Sequence, residues 1–114
     1  MAVADFLIRR QSTDSGCTVF SLVGELDLSS ASTMRAAGLA ALGAPGCSML
    51  VLDVTALRLA DSTGIGSLVG LHFHAHQHEQ RLVLRGVSEN LARVLTIAGL
   101  ASLFDVEPRG GNQA

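Results

Sequence analysis

A carboxylate and two hydroxyls stand together at Asp61, Ser62 and Thr63, immediately before two closely spaced glycines and an apolar pattern of helical period. If a helix begins there, its first backbone N–H groups have no partner within the helix and point towards these side chains. Those N–H groups and the positive end of the helix dipole both favour an anion such as phosphate. A hydroxyl at this place could therefore serve as a phosphorylated switch, as a nucleophile or as a helix cap.

The surroundings of Ser62 argue against catalysis by this chain. Ser62 does not lie in a Gly-x-Ser-x-Gly sequence. All four histidines fall within residues 72–78, at least ten residues further along the same predicted helix, which corresponds to about 15 Å. No histidine can then hydrogen-bond directly to the Ser62 hydroxyl, and we do not expect an enzyme.

The glycine pattern does not match the known nucleotide-binding fingerprints. Gly64 and Gly66 are followed by Gly70, one position too late for the dinucleotide pattern Gly-x-Gly-x-x-Gly. The chain contains no lysine, which excludes a Walker-type phosphate loop. A ligand that binds at residues 61–66 by other means stays open as an alternative.

The four histidines could instead bind a metal ion. On a helix they form two pairs at i, i+4 spacing on nearly opposite sides, His72 with His76 and His74 with His78. Each pair offers two ligands, whereas a zinc site needs three or four. We therefore predict no metal site, with the first pair half-buried along the edge of the core and the second pair in solvent. Metal or pH sensing by this run is a third alternative.

The composition is that of one globular domain. Of the 114 residues, 48% are hydrophobic and 16% are charged, which suits a chain with a single core. The net charge of −2 gives no electrostatic reason to expect a nucleic acid or an anionic membrane as partner.

No segment is expected to target the chain to a membrane or to export it. The first apolar stretch is too short for a signal peptide, and the longest one, residues 36–52, is interrupted by glycine, proline and serine. Cys17 and Cys47 occupy no metal-binding spacing. We expect them to be small buried residues in a reducing cytoplasm.

Hydrophobic periodicity predicts the element order β-β-α-β-α-β-α-β. Strands are predicted at residues 3–9, within 18–28 with an end near Gly24, at 48–54, at 81–85 and at 103–106. Helices are predicted to start at Ser29 or Ser30, at residues 62–64 and after Ser88. Strands separated by helices imply partly parallel pairing, with functional residues gathered in the loops from strand to helix. Residues 61–66 fall in such a loop.

Three motifs in this order give the chain a family context. They are Gly24-Glu25-Leu26-Asp27, then residues 61–66, then Val94-x-x-Ile97-Ala98-Gly99-Leu100. Together they resemble the STAS domain of bacterial anti-sigma factor antagonists, over residues 4–107. The resemblance implies an α/β fold, with a mixed sheet of four to five strands and three to four α-helices packed on it. It also implies one domain over residues 1–107 and a flexible tail at 108–114.

The resemblance further implies which residues form the site. In these antagonists the first hydroxyl of the Asp-Ser-Ser/Thr-Gly element is phosphorylated; here that position is Ser62, with Thr63 as the second candidate. Asp27 and Asp61 match acidic positions close to that serine. The partner contact is then expected at Asp27, Asp61, Ser62, Thr63, Gly64, Ile65 and Gly66.

The partner and its regulation also follow from the resemblance. Such a protein, when unphosphorylated, binds an anti-sigma factor that is also a serine kinase, and thereby frees the sigma factor. The kinase can phosphorylate the antagonist and dissolve the complex, and a serine phosphatase reverses this. The chain would then be a cytoplasmic regulator without cofactor or metal. The alternative is a STAS module that binds a small molecule or a nucleotide at residues 61–66 without phosphorylation.

Overall fold

A six-stranded sheet forms the centre of the protein, in a computed structural model that describes residues 6–12 and 15–108. The strands are β1 (Phe6–Ser12), β2 (Cys17–Leu26), β3 (Met49–Asp53), β4 (Leu57–Ala60), β5 (Arg81–Arg85) and β6 (Asp105–Glu107). The helices are α1 (Ala31–Leu42), α2 (Ser62–Gln77) and α3 (Glu89–Ile97). The strand order is β1-β2-β3-β5-β6, and β4 pairs with the last part of β2. β1 is antiparallel to β2, and the pairs β2–β3, β2–β4, β3–β5 and β5–β6 are parallel.

The burial pattern explains why these segments form the sheet. Residues of β2 alternate between half-buried and buried along its whole length, whereas β3 and β5 each contain three consecutive buried residues. Continuous apolar runs are typical of parallel strands that are covered on both faces. The fully buried leucines of the core include Leu22, Leu50, Leu52, Leu68 and Leu84, each worth about 1.5–3 kcal/mol on burial.

The position of α2 is fixed by contacts with the second half of α1 and with the loop that follows it. A Cβ atom on Gly38 of α1 would come within 2.6 Å of Leu71 Cδ1, so the glycine permits a close approach of the two helices. After α2, Gln80 Nε2 donates to the carbonyl oxygens of Leu42 at 2.7 Å and Cys47 at 2.8 Å. These contacts hold α2 against α1, and they therefore also hold the loop from which α2 starts.

The predicted α/β class with a mixed sheet and three helices is confirmed, but the sheet has six strands and not four to five. The strand that was not predicted is β4; only Leu57 of its four residues is buried, so its apolar pattern is weak. The prediction that β2 ends near Gly24 is also wrong. Gly24 has a φ of 107°, and the register shifts directly after it. This irregularity lets β2 continue along β4 as far as Leu26.

Most of the predicted boundaries agree with the structure. α2 begins at Ser62, and the Ser88 hydroxyl caps α3 by accepting a hydrogen bond from the Leu91 N–H at 3.0 Å. Ser30 precedes α1 but makes no side-chain cap, because its hydroxyl oxygen accepts from the Asp27 N–H at 3.0 Å while the hydroxyl donates to the Glu25 carbonyl oxygen at 2.8 Å. The last strand spans residues 105–107 and not 103–106. The predicted strand residues 3–5 and tail residues 109–114 lie outside the described residues.

The two cysteines are half-buried and not buried as predicted. They lie at the start of β2 and just before β3, at the same end of the sheet. Burial still raises the pKa of the Cys17 thiol, which favours the protonated form. Between residues 6 and 108, apart from the undescribed positions 13 and 14, no helix is long and apolar enough to cross a membrane.

Candidate functional site at the start of the second helix

The two acidic motifs of the sequence meet where β2, β4 and α2 join. Because β2 and β4 are parallel, their carboxyl ends lie at the same edge of the sheet, with Leu26 opposite Ala60. The Asp61 N–H donates to the Leu26 carbonyl oxygen at 3.1 Å. Asp27 follows Leu26 and Ser62 follows Asp61, so motifs that are distant in sequence lie side by side.

Asp61 caps α2, and neither hydroxyl does. The Gly64 N–H donates to Asp61 Oδ1 at 2.9 Å, and the extended backbone of Asp61 is that of an N-cap residue. The interpretation of Ser62 or Thr63 as the cap is therefore wrong. Both are exposed in the first turn of α2, and neither hydroxyl hydrogen-bonds to any residue that the structure describes. Each hydroxyl is thus available to another molecule.

Asp27 is held in place by the serines that follow it. Its Oδ1 accepts hydrogen bonds from the Ser29 N–H at 3.0 Å and from the Ser29 hydroxyl at 2.8 Å, and the Ser30 hydroxyl lies at 3.3 Å. The bond from the Ser29 hydroxyl holds the pKa of Asp27 below its ordinary value. Asp27 is therefore ionised at neutral pH, and it adds a negative charge close to the start of α2.

Of the two glycines in the motif, only Gly64 is required by packing. A Cβ atom on Gly64 would lie 2.8 Å from the Leu26 carbonyl carbon and 2.9 Å from Leu26 Cγ. A Cβ atom on Gly66 would meet nothing within 4 Å outside its own helix. Gly64 and Ile65 are buried, so they position the loop without presenting a side chain to a partner. The accessible residues of the motif are Asp61, Ser62, Thr63 and Gly66.

The cap at Asp61 makes a testable contribution to stability. Asp61→Ala removes the acceptor for the Gly64 N–H, and we expect it to lower the free energy of unfolding by about 1 kcal/mol. Asp61→Asn keeps an acceptor oxygen, so we expect a loss of only a few tenths of a kcal/mol. Urea unfolding of both variants measures the difference. If both variants lost the same free energy of unfolding, Asp61 would stabilise the protein through its charge and not through its hydrogen bond to the Gly64 N–H.

A groove between α1 and α2 opens beside Thr63. It encloses about 390 Å³, and Arg35 is the one charged residue among those that line it. The lining residues are Ala31, Ser32, Arg35, Ala36, Leu39, Thr63, Gly66 and Ser67. Arg35 was not predicted as a site residue, because a charged side chain at the edge of the buried face of a helix usually indicates contact with solvent. Its place beside the motif depends on how the two helices pack.

Two exposed leucines near the motif were also missed. Leu28 lies in the loop between β2 and α1 and is 76% exposed, and Leu59 of β4 is 49% exposed. Leu59 pairs with Glu25, so it belongs to the same edge of the sheet as the motif. An exposed apolar side chain near a polar loop can contribute to a protein interaction surface when it belongs to a contiguous patch.

The histidine run is arranged partly as predicted. His72 is half-buried, with its ring edge-on to Phe104 at 5.7 Å, and His78 is exposed. The predictions for the other two are wrong, because His74 is half-buried and His76 is exposed. The buried residues of α2 are Gly64, Ile65, Ser67, Leu68, Leu71 and Ala75. Around the helix axis, this buried stripe is centred near Ala75. His74 and His76 therefore lie about 100° to either side of its centre.

Residues 9–105 of the chain match the protein family described as Mlab, STAS domain. Among curated proteins, the anti-sigma-B factor antagonist of Listeria monocytogenes serovar 1/2a is 36% identical over 59 residues, which are 52% of this chain and 52% of that protein. The same values hold for the anti-sigma-B factor antagonist of Listeria innocua serovar 6a. The chain thus spans about half the length of the curated relatives that it matches.

Solved structures share the fold over nearly the whole chain. The Bacillus cell fate determinant SpoIIAA in its phosphorylated form has a TM-score of 0.70 at 21% identity, over 89% of this chain and 91% of that chain. An anti-sigma factor antagonist from Mycobacterium paratuberculosis has a TM-score of 0.73 at 23% identity, over 93% of this chain and 89% of that one. At these identities the likeness establishes the fold alone. Since the family match extends from residue 9 to residue 105, the chain belongs to the STAS domain family.

Proposed function

We propose that this chain is an anti-sigma factor antagonist that is switched off by phosphorylation at Ser62. The observation that carries the proposal is the exposed Ser62 hydroxyl in the first turn of α2, next to the Asp61 cap and without a hydrogen-bond partner among the described residues. The name of the Listeria relatives supports this role. The fold shared with SpoIIAA, a protein solved in a phosphorylated form, supports the switch.

The proposed partner is an anti-sigma factor that is also a serine kinase. It binds the unphosphorylated site and thereby releases its sigma factor in the cytoplasm. The partner supplies ATP, magnesium and the catalytic groups, and a serine phosphatase later removes the phosphate. This chain is substrate and ligand in both reactions and catalyses neither.

Ser62 is the better placed of the two hydroxyls. Thr63 lines the groove between α1 and α2, whereas Ser62 does not. A kinase can therefore reach the exposed Ser62 hydroxyl without entering that groove. The start of α2 also tolerates the product, because the helix dipole favours an anion there even though Asp61 already occupies the Gly64 N–H. The modification is therefore compatible with a folded domain.

Intact-mass spectrometry after incubation with the cognate kinase and ATP tests the assignment. The parent chain and Thr63→Ala are expected to gain one phosphate, and Ser62→Ala is expected to gain none. Thr63→Ala is the matched control because it removes the neighbouring hydroxyl from the same turn. An unchanged mass of the parent would contradict the switch for that kinase, and uptake by Ser62→Ala would move the acceptor to another residue.

A second candidate function rests on the groove beside Thr63. Its volume of about 390 Å³ and the guanidinium of Arg35 would suit a small anionic ligand. The chain would then be a STAS module that binds such a ligand without being phosphorylated. Calorimetry with ATP and GTP, on the parent and on Arg35→Ala, separates the two functions. Binding that is lost in Arg35→Ala would favour the ligand-binding module.

A further inference from the structure

The last turns of α2 carry a histidine pair that the proposed switch does not use. The rings of His74 and His78 are stacked, with centroids 4.3 Å apart and an interplanar angle of 28°. His78 Nδ1 lies 2.8 Å from the carbonyl oxygen of His74. That oxygen belongs to the end of the helix, where carbonyl groups have no partner within the helix, and the backbone N–H of His78 bonds to Ala75 instead.

This hydrogen bond fixes the state of the His78 ring. A carbonyl oxygen can only accept, so Nδ1 carries the proton and donates it. In the neutral ring the lone pair then lies on Nε2. A histidine that ligates a metal almost always gives its other N–H to a carbonyl, a carboxylate or water, which sets both its tautomer and its orientation. His78 is therefore already held in the form that a metal ion requires.

The distance between the rings distinguishes the two pairs of the run. Metal–nitrogen bonds of about 2.0–2.1 Å, with ligand angles of roughly 90–110°, place two imidazole centroids roughly 4.5–5 Å apart. The pair His74/His78 is close to this separation at 4.3 Å, and because its rings are stacked at 28°, the His74 ring must turn before a nitrogen of each ring points at one ion. The pair His72/His76 is at 6.2 Å, and the ring of His72 is packed edge-on against Phe104. His74 and His78 are therefore closer together than the other pair, and neither ring is packed against Phe104.

We propose that His74 and His78 form a two-ligand surface site for a divalent transition metal of the class that imidazole binds best, Ni²⁺, Cu²⁺ or Zn²⁺. No cluster of three or more His, Cys, Asp or Glu suited to a metal occurs within residues 6–12 and 15–108. Water or a group from another molecule therefore completes the coordination. His74 lies about 18 Å along α2 from Ser62, so occupation of the site and phosphorylation are separate properties.

Calorimetric titration of NiCl₂ into the reduced, tag-free chain tests this site. We expect one Ni²⁺ per chain, and an affinity about a hundredfold lower in His74→Ala, because the chelate becomes a single ligand. His74→Ala leaves the backbone carbonyl in place, so the hydrogen bond from His78 is kept. His76→Ala is the matched control, from the same helix and the other pair, and we expect it to bind like the parent.

Thermal unfolding followed by circular dichroism checks that each variant is folded. Ni²⁺ is expected to raise the melting temperature of the parent and of His76→Ala, and to leave that of His74→Ala unchanged. Absence of Ni²⁺ binding by the parent would overturn the proposal. An equal loss of affinity in His74→Ala and His76→Ala would overturn it as well, since the pairs would then not differ.

Discussion

Phosphorylation of Ser62 is expected to weaken binding to the anti-sigma factor kinase about 10³-fold. The phosphate carries about −1.5 to −2 charges at neutral pH and lies next to the Asp61 carboxylate. Two like unit charges 4 Å apart cost about 1 kcal/mol in water and about 4 kcal/mol at an effective dielectric of 20. When a partner covers the two charges and excludes water, their repulsion therefore rises by about 3 kcal/mol per unit of phosphate charge. For a phosphate of −1.5 charges the rise is about 4.5 kcal/mol. Asp27, which is ionised at neutral pH, adds to the repulsion.

Calorimetry or surface plasmon resonance with the isolated kinase measures this change. Ser62→Ala is the control for the loss of the hydroxyl without added charge, and we expect its affinity to stay within about twofold of the parent. In the phosphorylated chain, Asp61→Asn keeps the acceptor for the Gly64 N–H and removes one charge, so we expect part of the lost affinity to return. A phosphorylated parent that binds as tightly as the unphosphorylated one would contradict the switch.

The central part of the fold could be predicted because its local signals agree with its packing. β3 and β5 are apolar runs in sequence and are buried in the sheet. Ser88 is a preferred capping residue, and it caps α3. β4 could not be predicted, because its pairing depends on Gly24, where a positive φ and a shift in register let β2 pair with β4 beyond the residues that pair with β3. In sequence, the same glycine indicates the end of a strand.

The candidate site was predictable in its location and not in its detail. The run Asp61-Ser62-Thr63 indicates a helix start, but all three residue types are preferred caps. Asp61 is the residue that caps α2, because its backbone N–H bonds to the Leu26 carbonyl oxygen at the end of β2. The helix therefore begins at the next residue, Ser62. That is a tertiary contact, which no local pattern records. The same holds for Arg35, which reaches the motif only through the packing of α1 on α2.

Gly64→Ala is expected to lower the free energy of unfolding by about 3 kcal/mol, at the upper end of the usual cost of overpacking. The added methyl group would meet the Leu26 carbonyl group, with the carbonyl carbon at 2.8 Å. That carbonyl cannot retreat, because it also accepts the Asp61 N–H at 3.1 Å and belongs to a residue paired with β4. Relief of the clash therefore requires α2 to move away from β2 at its first turn.

Gly66→Ala is the matched control for this substitution, since it adds the same methyl group two residues further along the same helix. The new Cβ has no neighbour within 4 Å outside the helix, and alanine in place of a helical glycine stabilises by about 0.5–1 kcal/mol. In urea unfolding, the free energy of unfolding is therefore expected to fall in Gly64→Ala and to rise in Gly66→Ala, relative to the parent. Because Ser62 lies in the same turn as Gly64, folded Gly64→Ala should also be phosphorylated more slowly than the parent. Equal stability of the two variants would mean that α2 does not start against Leu26.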